Sequence, residues 1–257
     1  MPTSDMHPPL VATRGDRRTL AFGGGAVQSE MRLSKPWALV LAYCRAMMCF
    51  ALFVPRPRHI VMVGLGGGSL AKFCYRHFPA ARITVIELRA DVIALRDQFC
   101  VPPDNARFRV VHADAIDFLA ASPACADVLV LDGFDAHGLP PGLASADFYG
   151  DCRRALRDGG VLVANMLNYD PAWQAMLARL EQVFQGKLCW FDGMAGNNHV
   201  VFALRLAPAG RSPALARLRR IRRRHGRIGL RGLHWLLAHA VVAALAWRRV
   251  AGTPHAR

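Results

Sequence analysis

Short runs of consecutive apolar residues recur along this chain, and each is followed by a stretch of helical periodicity. Ile60–Val63 precedes the helical stretch Leu70–His77, Ile83–Ile86 precedes Asp91–Phe99, and Phe108–Val111 precedes Ile116–Ala121. Val128–Leu131 then leads into Phe148–Leu156, and Val161–Asn165 into Trp173–Phe184. Continuous apolar strands that alternate with helices predict an α/β fold whose mostly parallel sheet is buried on both faces. Cys189–Phe191 and Val200–Leu204 have no helix between them, which predicts an antiparallel pair at the end of the sheet. Upstream, Thr19–Phe22 and Val27–Met31 flank Gly23-Gly24-Gly25, the pattern of a short hairpin whose turn needs positive φ. Pro36 and Pro55 bracket the apolar stretch Trp37–Val54, which reads as a helix opened by the first proline and closed by the second.

That stretch is long enough to raise the question of a membrane span, but Arg45 sits at its centre. An arginine at mid-bilayer costs roughly 2.5–3.5 kcal/mol, so a buried core helix is expected instead. Trp235–Trp247 is shorter than the ~20 residues a span requires. Met1–Leu20 is polar and has no apolar core, so no secretory signal is expected. The seven cysteines show no C-x-x-C spacing and mostly lie in apolar segments. They are expected to be reduced and buried, in a cytoplasmic protein.

Charge changes the picture only at one end. The formal net charge is +15, of which +13 comes from the thirteen arginines between Arg205 and Arg257, where no lysine or acid occurs. The rest of the chain is nearly neutral, so a high pI does not make the whole protein a nucleic-acid binder. Arg217, Arg219, Arg220, Arg222, Arg223, Arg224, Arg227 and Arg231 interleave with Leu215, Leu218, Ile221 and Ile228 at near-helical spacing. The favoured reading is a terminal helix pair packed on the domain with solvated charges. The alternative is an appendage that binds nucleic acid or an anionic membrane.

In an open parallel sheet, ligands bind at the carboxyl ends of the strands near the topological switch point. Four glycines in five positions, Gly64, Gly66, Gly67 and Gly68, follow the first strand of the repeat. They allow close approach to a ligand at a helix N-terminus, unless they form an ordinary turn. Glu87 follows 23 residues later at the end of the second strand, where a carboxylate can accept from both ribose hydroxyls of a nucleoside. Asp114 ends the third strand, where it can accept from an adenine amine, cap the next helix, or do both. Asp132 and Asp135 follow the fourth strand, in Asp132-Gly133-Phe134-Asp135. Two carboxylates three apart at a cleft mouth are costly unless they hold a cation or move a proton. His59, His77, His112 and His137 have no metal-ligand spacing, and no metal is expected.

At these residues the chain resembles the spermidine synthase (polyamine aminopropyltransferase) family, which is built on a Rossmann-like, class I methyltransferase-like fold. The resemblance runs from about Thr19 to Leu206. Gly64–Gly68 resembles the family's glycine motif, and Glu87 with Asp91 resembles its E-x-D-x-x-V-like stretch. Asp132 and Asp135, with Phe148-Tyr149 downstream, are similar to its D-x-x-D loop and following F-Y pair. The resemblance implies that Gln28 contacts the nucleoside, that Tyr43 lies at the amine site, and that Asp132 deprotonates the attacking amine with Asp135 as its partner. It implies decarboxylated S-adenosylmethionine, or S-adenosylmethionine, as co-substrate and a small-molecule amine as acceptor, and it is compatible with a homodimer. The chain departs from the family at Gly67, where an aspartate usually holds the aminopropyl amine, and at Cys44, Ala136 and Gly193–Asn197. The alternatives to aminopropyl transfer are methyl transfer and a silent nucleoside-binding protein. Three segments are expected: 1–55 with the hairpin and buried helix, a catalytic domain over 56–206, and an arginine-rich helical extension over 207–257.

Overall fold

The computed structural model describes residues 7–23, 27–134, 138–194, 198–206, 216, 219 and 234–251. They form two sheets. The first is antiparallel, with β1 (Pro9–Arg14), β2 (Arg17–Phe22) and β3 (Val27–Arg32) in sequential order. The expected hairpin is β2–β3, and β1 adds a strand that the apolar pattern gave no sign of. Four of the six β1 residues are exposed, so the strand carries almost no hydrophobic alternation.

The second sheet has the order β6-β5-β4-β7-β8-β10-β9. Its strands are β4 (His59–Val63), β5 (Arg82–Glu87), β6 (Phe108–His112), β7 (Ala126–Leu131), β8 (Leu156–Leu167), β9 (Leu188–Met194) and β10 (Asn198–Leu204). β4 pairs in parallel with β5 and β7, β5 with β6, and β7 with β8. β10 runs antiparallel to both β8 and β9, as the absence of an intervening helix predicts. The order reverses between β4 and β7, which is where the crevice of such a sheet opens.

Alternation along the strands builds two cores. Ile60 and Met62 face one side, with α1 (Ala42–Met47), α2 (Ser69–His77) and α7 (His234–Ala251). Val61 and Val63 face the other, with α4 (Ala115–Ala120), α5 (Ala146–Ala155) and α6 (Trp173–Val183). α3 (Ala90–Ala94) is a short helix after β5. The helix expected to begin at Pro36 starts only at Ala42 and continues as a 3-10 turn, Met48–Leu52. Its missing first turns have a cause. The Arg45 guanidinium folds back to donate to the carbonyls of Leu39 and, at 2.8 Å, Val40, which a longer helix would use internally. Pro36 instead occupies a turn closed by Ala38 N–H donating to the Lys35 carbonyl at 2.9 Å. No helix among the described residues is long and apolar enough to cross a membrane. Of the seven cysteines, Cys100 is exposed, Cys125 is half-buried and the others are buried.

Between α2 and β3 lies a buried cation. Lys72 is 4 % exposed, and its ammonium donates to the Phe99 carbonyl at 2.6 Å and to Met31 Sδ at 3.0 Å. Burial pushes its pKa down from 10.5 to about 8. Below pH 8 both native and unfolded chains hold the proton, and the native state bears the desolvation cost. Between about 8 and 10.5 only the unfolded chain holds it, so stability rises with pH in that window. Measured against Lys72→Met by urea unfolding, the wild type should therefore gain roughly 3 kcal/mol between pH 7 and pH 10.5. A constant difference between the two proteins across that range would contradict the buried charge.

Candidate active site

The ends of β5, β4 and β7 are laced together around one glycine. Gly64 N–H donates to the Ile86 carbonyl at 2.9 Å, and Asp132 N–H donates to the Val63 carbonyl at 3.0 Å. Gly64 has φ +92°, and a Cβ there would stand 2.4 Å from the Asp132 carbonyl oxygen. No other residue fits. The backbone that leaves β4 therefore lies directly against the backbone that leaves β7. The loop continues through Gly66 and Gly67 to Gly68, the left-handed residue from which α2 springs.

Glu87, at the last position of β5, reaches into this loop and is 8 % exposed. Leu65 N–H donates to its Oε2 at 2.8 Å, and Arg89 N–H donates to its Oε1 at 2.9 Å. Each carboxylate oxygen can accept more than one hydrogen bond. The two N–H donors thus fix the group in place and leave it able to receive a vicinal diol. Asp91 lies outside this arrangement and pairs with Arg89 at 2.6 Å. The same guanidinium stacks over Phe22 of β2, 4.5 Å from the ring centroid.

Two other expected nucleoside contacts are placed as follows. Asp114 is exposed and caps α4, its Oδ1 accepting from Ile116 N–H at 2.8 Å. The capping role is thus present in the structure. Gln28 is the extra residue of a β-bulge, because Leu20 pairs with Ser29 while Ala21 pairs with Val27. Bulges re-aim a side chain beside a functional site. The neighbouring Ser29 is buried against the glycine loop. Its Oγ lies 2.6 Å from where a Cβ on residue 67 would stand, with Phe99 at 2.8 Å from the same point. Gly67 is therefore matched to its surroundings, and a serine occupies space that an aspartate there would need.

On the other side of Gly64 stands Asp132. Its Oδ1 accepts from Asn165 Nδ2 at 2.9 Å and its Oδ2 from the Tyr43 hydroxyl at 3.3 Å. Asn165 is 3 % exposed on β8, and its own carbonyl oxygen accepts from Asn198 Nδ2 at 2.9 Å. Burial pushes the Asp132 carboxyl up to about 6, against the opposing pull of the Asn165 and Tyr43 hydrogen bonds. Burial, then the Asp132 charge, holds the Tyr43 hydroxyl well above its ordinary value, so it serves as a donor. Asp135, His137 and Ala195–Asn197 lie outside the described residues. Among the described residues, no group of three or more His, Cys, Asp or Glu could hold a metal ion.

The sequence reading singled out neither Asn165 nor Asn198. The available signal was chemical: an asparagine inside an otherwise apolar strand buried on both faces must find a partner. Asn165 does so at the Asp132 carboxylate.

A Spermine/spermidine synthase domain model matches residues 40–188. The chain belongs to the spermine/spermidine synthase family. It is 36 % identical over 225 residues to a polyamine aminopropyltransferase of Chromobacterium violaceum, covering 86 % of this chain and 84 % of that one. Among solved structures it resembles a probable spermidine synthase from Corynebacterium glutamicum, with a TM-score of 0.67 and 22 % identity over 86 % of this chain and 87 % of that one. It also resembles human methyltransferase-like protein 13 in complex with SAH, with a TM-score of 0.56 and 25 % identity over 71 % of this chain and 89 % of that one. The synthase-family match takes in Tyr43, the glycine loop, Glu87, Asp132 and Asn165, while Asn198 and α7 lie beyond the matched range.

The hydrogen bond from Asn165 favours the ionised form of Asp132, so its removal should raise the carboxyl pKa further above 6. Asn165→Ala, followed by carbon-detected NMR titration of the aspartate side chains, should display that upward shift in a folded protein. A downward or null shift would mean that Asn165 does not hold the carboxylate.

Proposed function

We propose that this chain is a polyamine aminopropyltransferase that moves a three-carbon amine from decarboxylated S-adenosylmethionine to a small-molecule amine such as putrescine. The observation that carries this reading is the position of Asp132, with its pKa of about 6, across Gly64 from Glu87. A nucleoside cradle and a proton-accepting carboxylate share one glycine.

The residues present suit the donor. Glu87 accepts from the ribose hydroxyls, the glycine loop lets its own backbone approach the nucleoside closely, and Asp114 and Gln28 complete its recognition. The acceptor amine lies between Tyr43 and Asp132, and Asp135 balances its charge. Its nitrogen lone pair attacks the carbon beside the sulfonium, a C–N bond forms, and the C–S bond breaks with its electrons going to sulfur. The proton lost from nitrogen passes to Asp132. An amine of this type has a solution pKa near about 10.4, so it arrives protonated at neutral pH and must be relieved of its proton to react. Alignment by Tyr43 and the Asn165-anchored carboxylate supplies the remainder.

One observation favours a different donor. Ser29 fills the space at Gly67 where the family's aspartate would hold the aminopropyl amine. Unmodified S-adenosylmethionine, and with it methyl transfer, is therefore the second reading.

Mass spectrometry of reactions with putrescine and each sulfonium donor separates the two. An aminopropyl adduct formed only from the decarboxylated donor supports the proposal, and a methylated amine replaces it with the second reading. Asp132 must be ionised to take a proton, so kcat/KM should rise through pH 6 and continue upward as free acceptor accumulates. Asp132→Asn should lower the rate about 10²–10⁴-fold, the usual worth of a positioned base. It should also abolish the limb at pH 6 while the alkaline rise persists. A wild-type profile in this variant would remove Asp132 from the chemistry. Glu87→Ala should weaken nucleoside binding about tenfold or more by calorimetry, because charge-assisted hydrogen bonds are lost. Unaltered affinity in the folded variant would exclude the ribose contact.

A further inference from the structure

From Trp235 to Trp247, helix α7 holds no charged residue, and His239 is its one polar side chain there. Its inner face, with His234, Ala238, Val241 and Leu245, is buried on the domain. Its outward positions are Trp235, Leu236, Ala240, Ala243, Ala244 and Trp247. None is charged. Trp235, Leu236 and Trp247 are 49 %, 53 % and 71 % exposed. A soluble surface helix normally turns a charged or polar face to water, and an exposed face built of Trp, Leu and Ala belongs against something apolar.

The sequence around this face is uniformly basic. Eight arginines lie within 217–231, Arg248 and Arg249 follow Trp247 directly, and no acid occurs after Arg205. We propose that α7 and its flanking arginines dock this protein on an anionic lipid surface, with the helix lying in the plane of the interface. The partner must supply apolar depth beside negative charge. A bilayer with anionic headgroups supplies both: arginines meet phosphates, and the tryptophans sit at headgroup level with their rings in the acyl boundary. A second copy of the chain would bring the same excess of positive charge rather than its complement. A nucleic acid would meet the charge but offers no apolar surface to Leu236 and the alanines. The helix lies on the membrane and does not span it, since 18 residues rise only about 27 Å and its inner face is already occupied.

The test is co-sedimentation of the full chain with vesicles of phosphatidylcholine alone and with one third phosphatidylglycerol, at low and high salt. A Trp235→Ser/Leu236→Ser/Trp247→Ser variant is compared with wild type, and far-UV circular dichroism with a cooperative thermal transition serves as a check that the variant is folded. Salt-sensitive binding to the anionic vesicles alone is expected, with binding at least about tenfold weaker in the variant. Quenching of tryptophan fluorescence by brominated lipid should accompany it in the wild type and fall in the variant. Three results would overturn the proposal. One is equal vesicle binding by both proteins, which would leave the apolar face without a role. Another is RNA binding without vesicle binding. The third is a dimer that the substitutions dissociate, again without vesicle binding.

Discussion

The site depends on one close approach. At Gly64 the chain leaving β4 runs so near the Asp132 carbonyl that no side chain can stand between them. Because β4 lies between β5 and β7, this single contact fixes how far apart their carboxyl ends can be. Glu87 of β5 reaches the loop from one side and Asp132 of β7 from the other. A bulkier residue at 64 would have to push the β7 exit away, moving the Asp132 carboxylate relative to that of Glu87. Strand order and glycine are thus two parts of one device.

The two carboxylates are held by different chemistry. Glu87 takes backbone N–H donors on both oxygens, which come with the fold and need no particular side chains. Asp132 takes side-chain donors, an amide and a phenol, and the amide is itself oriented by Asn198 from a third strand. Backbone donors suit a group that only has to accept. A carboxyl poised near 6 must be able to change its proton, and its environment balances burial against two neutral donors with no cation in the hydrogen-bonded shell. That balance keeps the group responsive at neutral pH.

Much of this was legible in the sequence because it rests on local periodicity and on residues at strand ends. The apolar runs from Ile60 to Leu204 correspond to β4–β10, and Glu87, Asp114 and Asp132 lie at or just beyond the ends of β5, β6 and β7. What escaped the reading depends on contacts distant in sequence. β1 is mostly exposed and carries no alternation. The late start of α1 depends on where the Arg45 guanidinium turns, which no helical period encodes. Asn165 and Asn198 acquire their meaning only when β8 and β10 pair, at a separation of 33 residues. Ser29 meets Gly67 through the packing of the small sheet on the glycine loop, so a glycine that looks like a loss in the motif is accounted for by a serine elsewhere.

The C-terminal helix is less of an appendage than its charge suggests. Ala238, Val241 and Leu245 belong to the same core as Met47 and Phe50, and α7 packs on α1 and on the 3-10 turn behind it. Burying a Val or Leu side chain stabilises by roughly 1.5–3 kcal/mol, a large fraction of a typical domain's net stability. α1 is only six residues long and carries Tyr43, which packs against this same core and donates its hydroxyl to Asp132. The short helix that carries Tyr43 is therefore supported by α7. The element that carries the apolar outer face thus also completes the core beside α1.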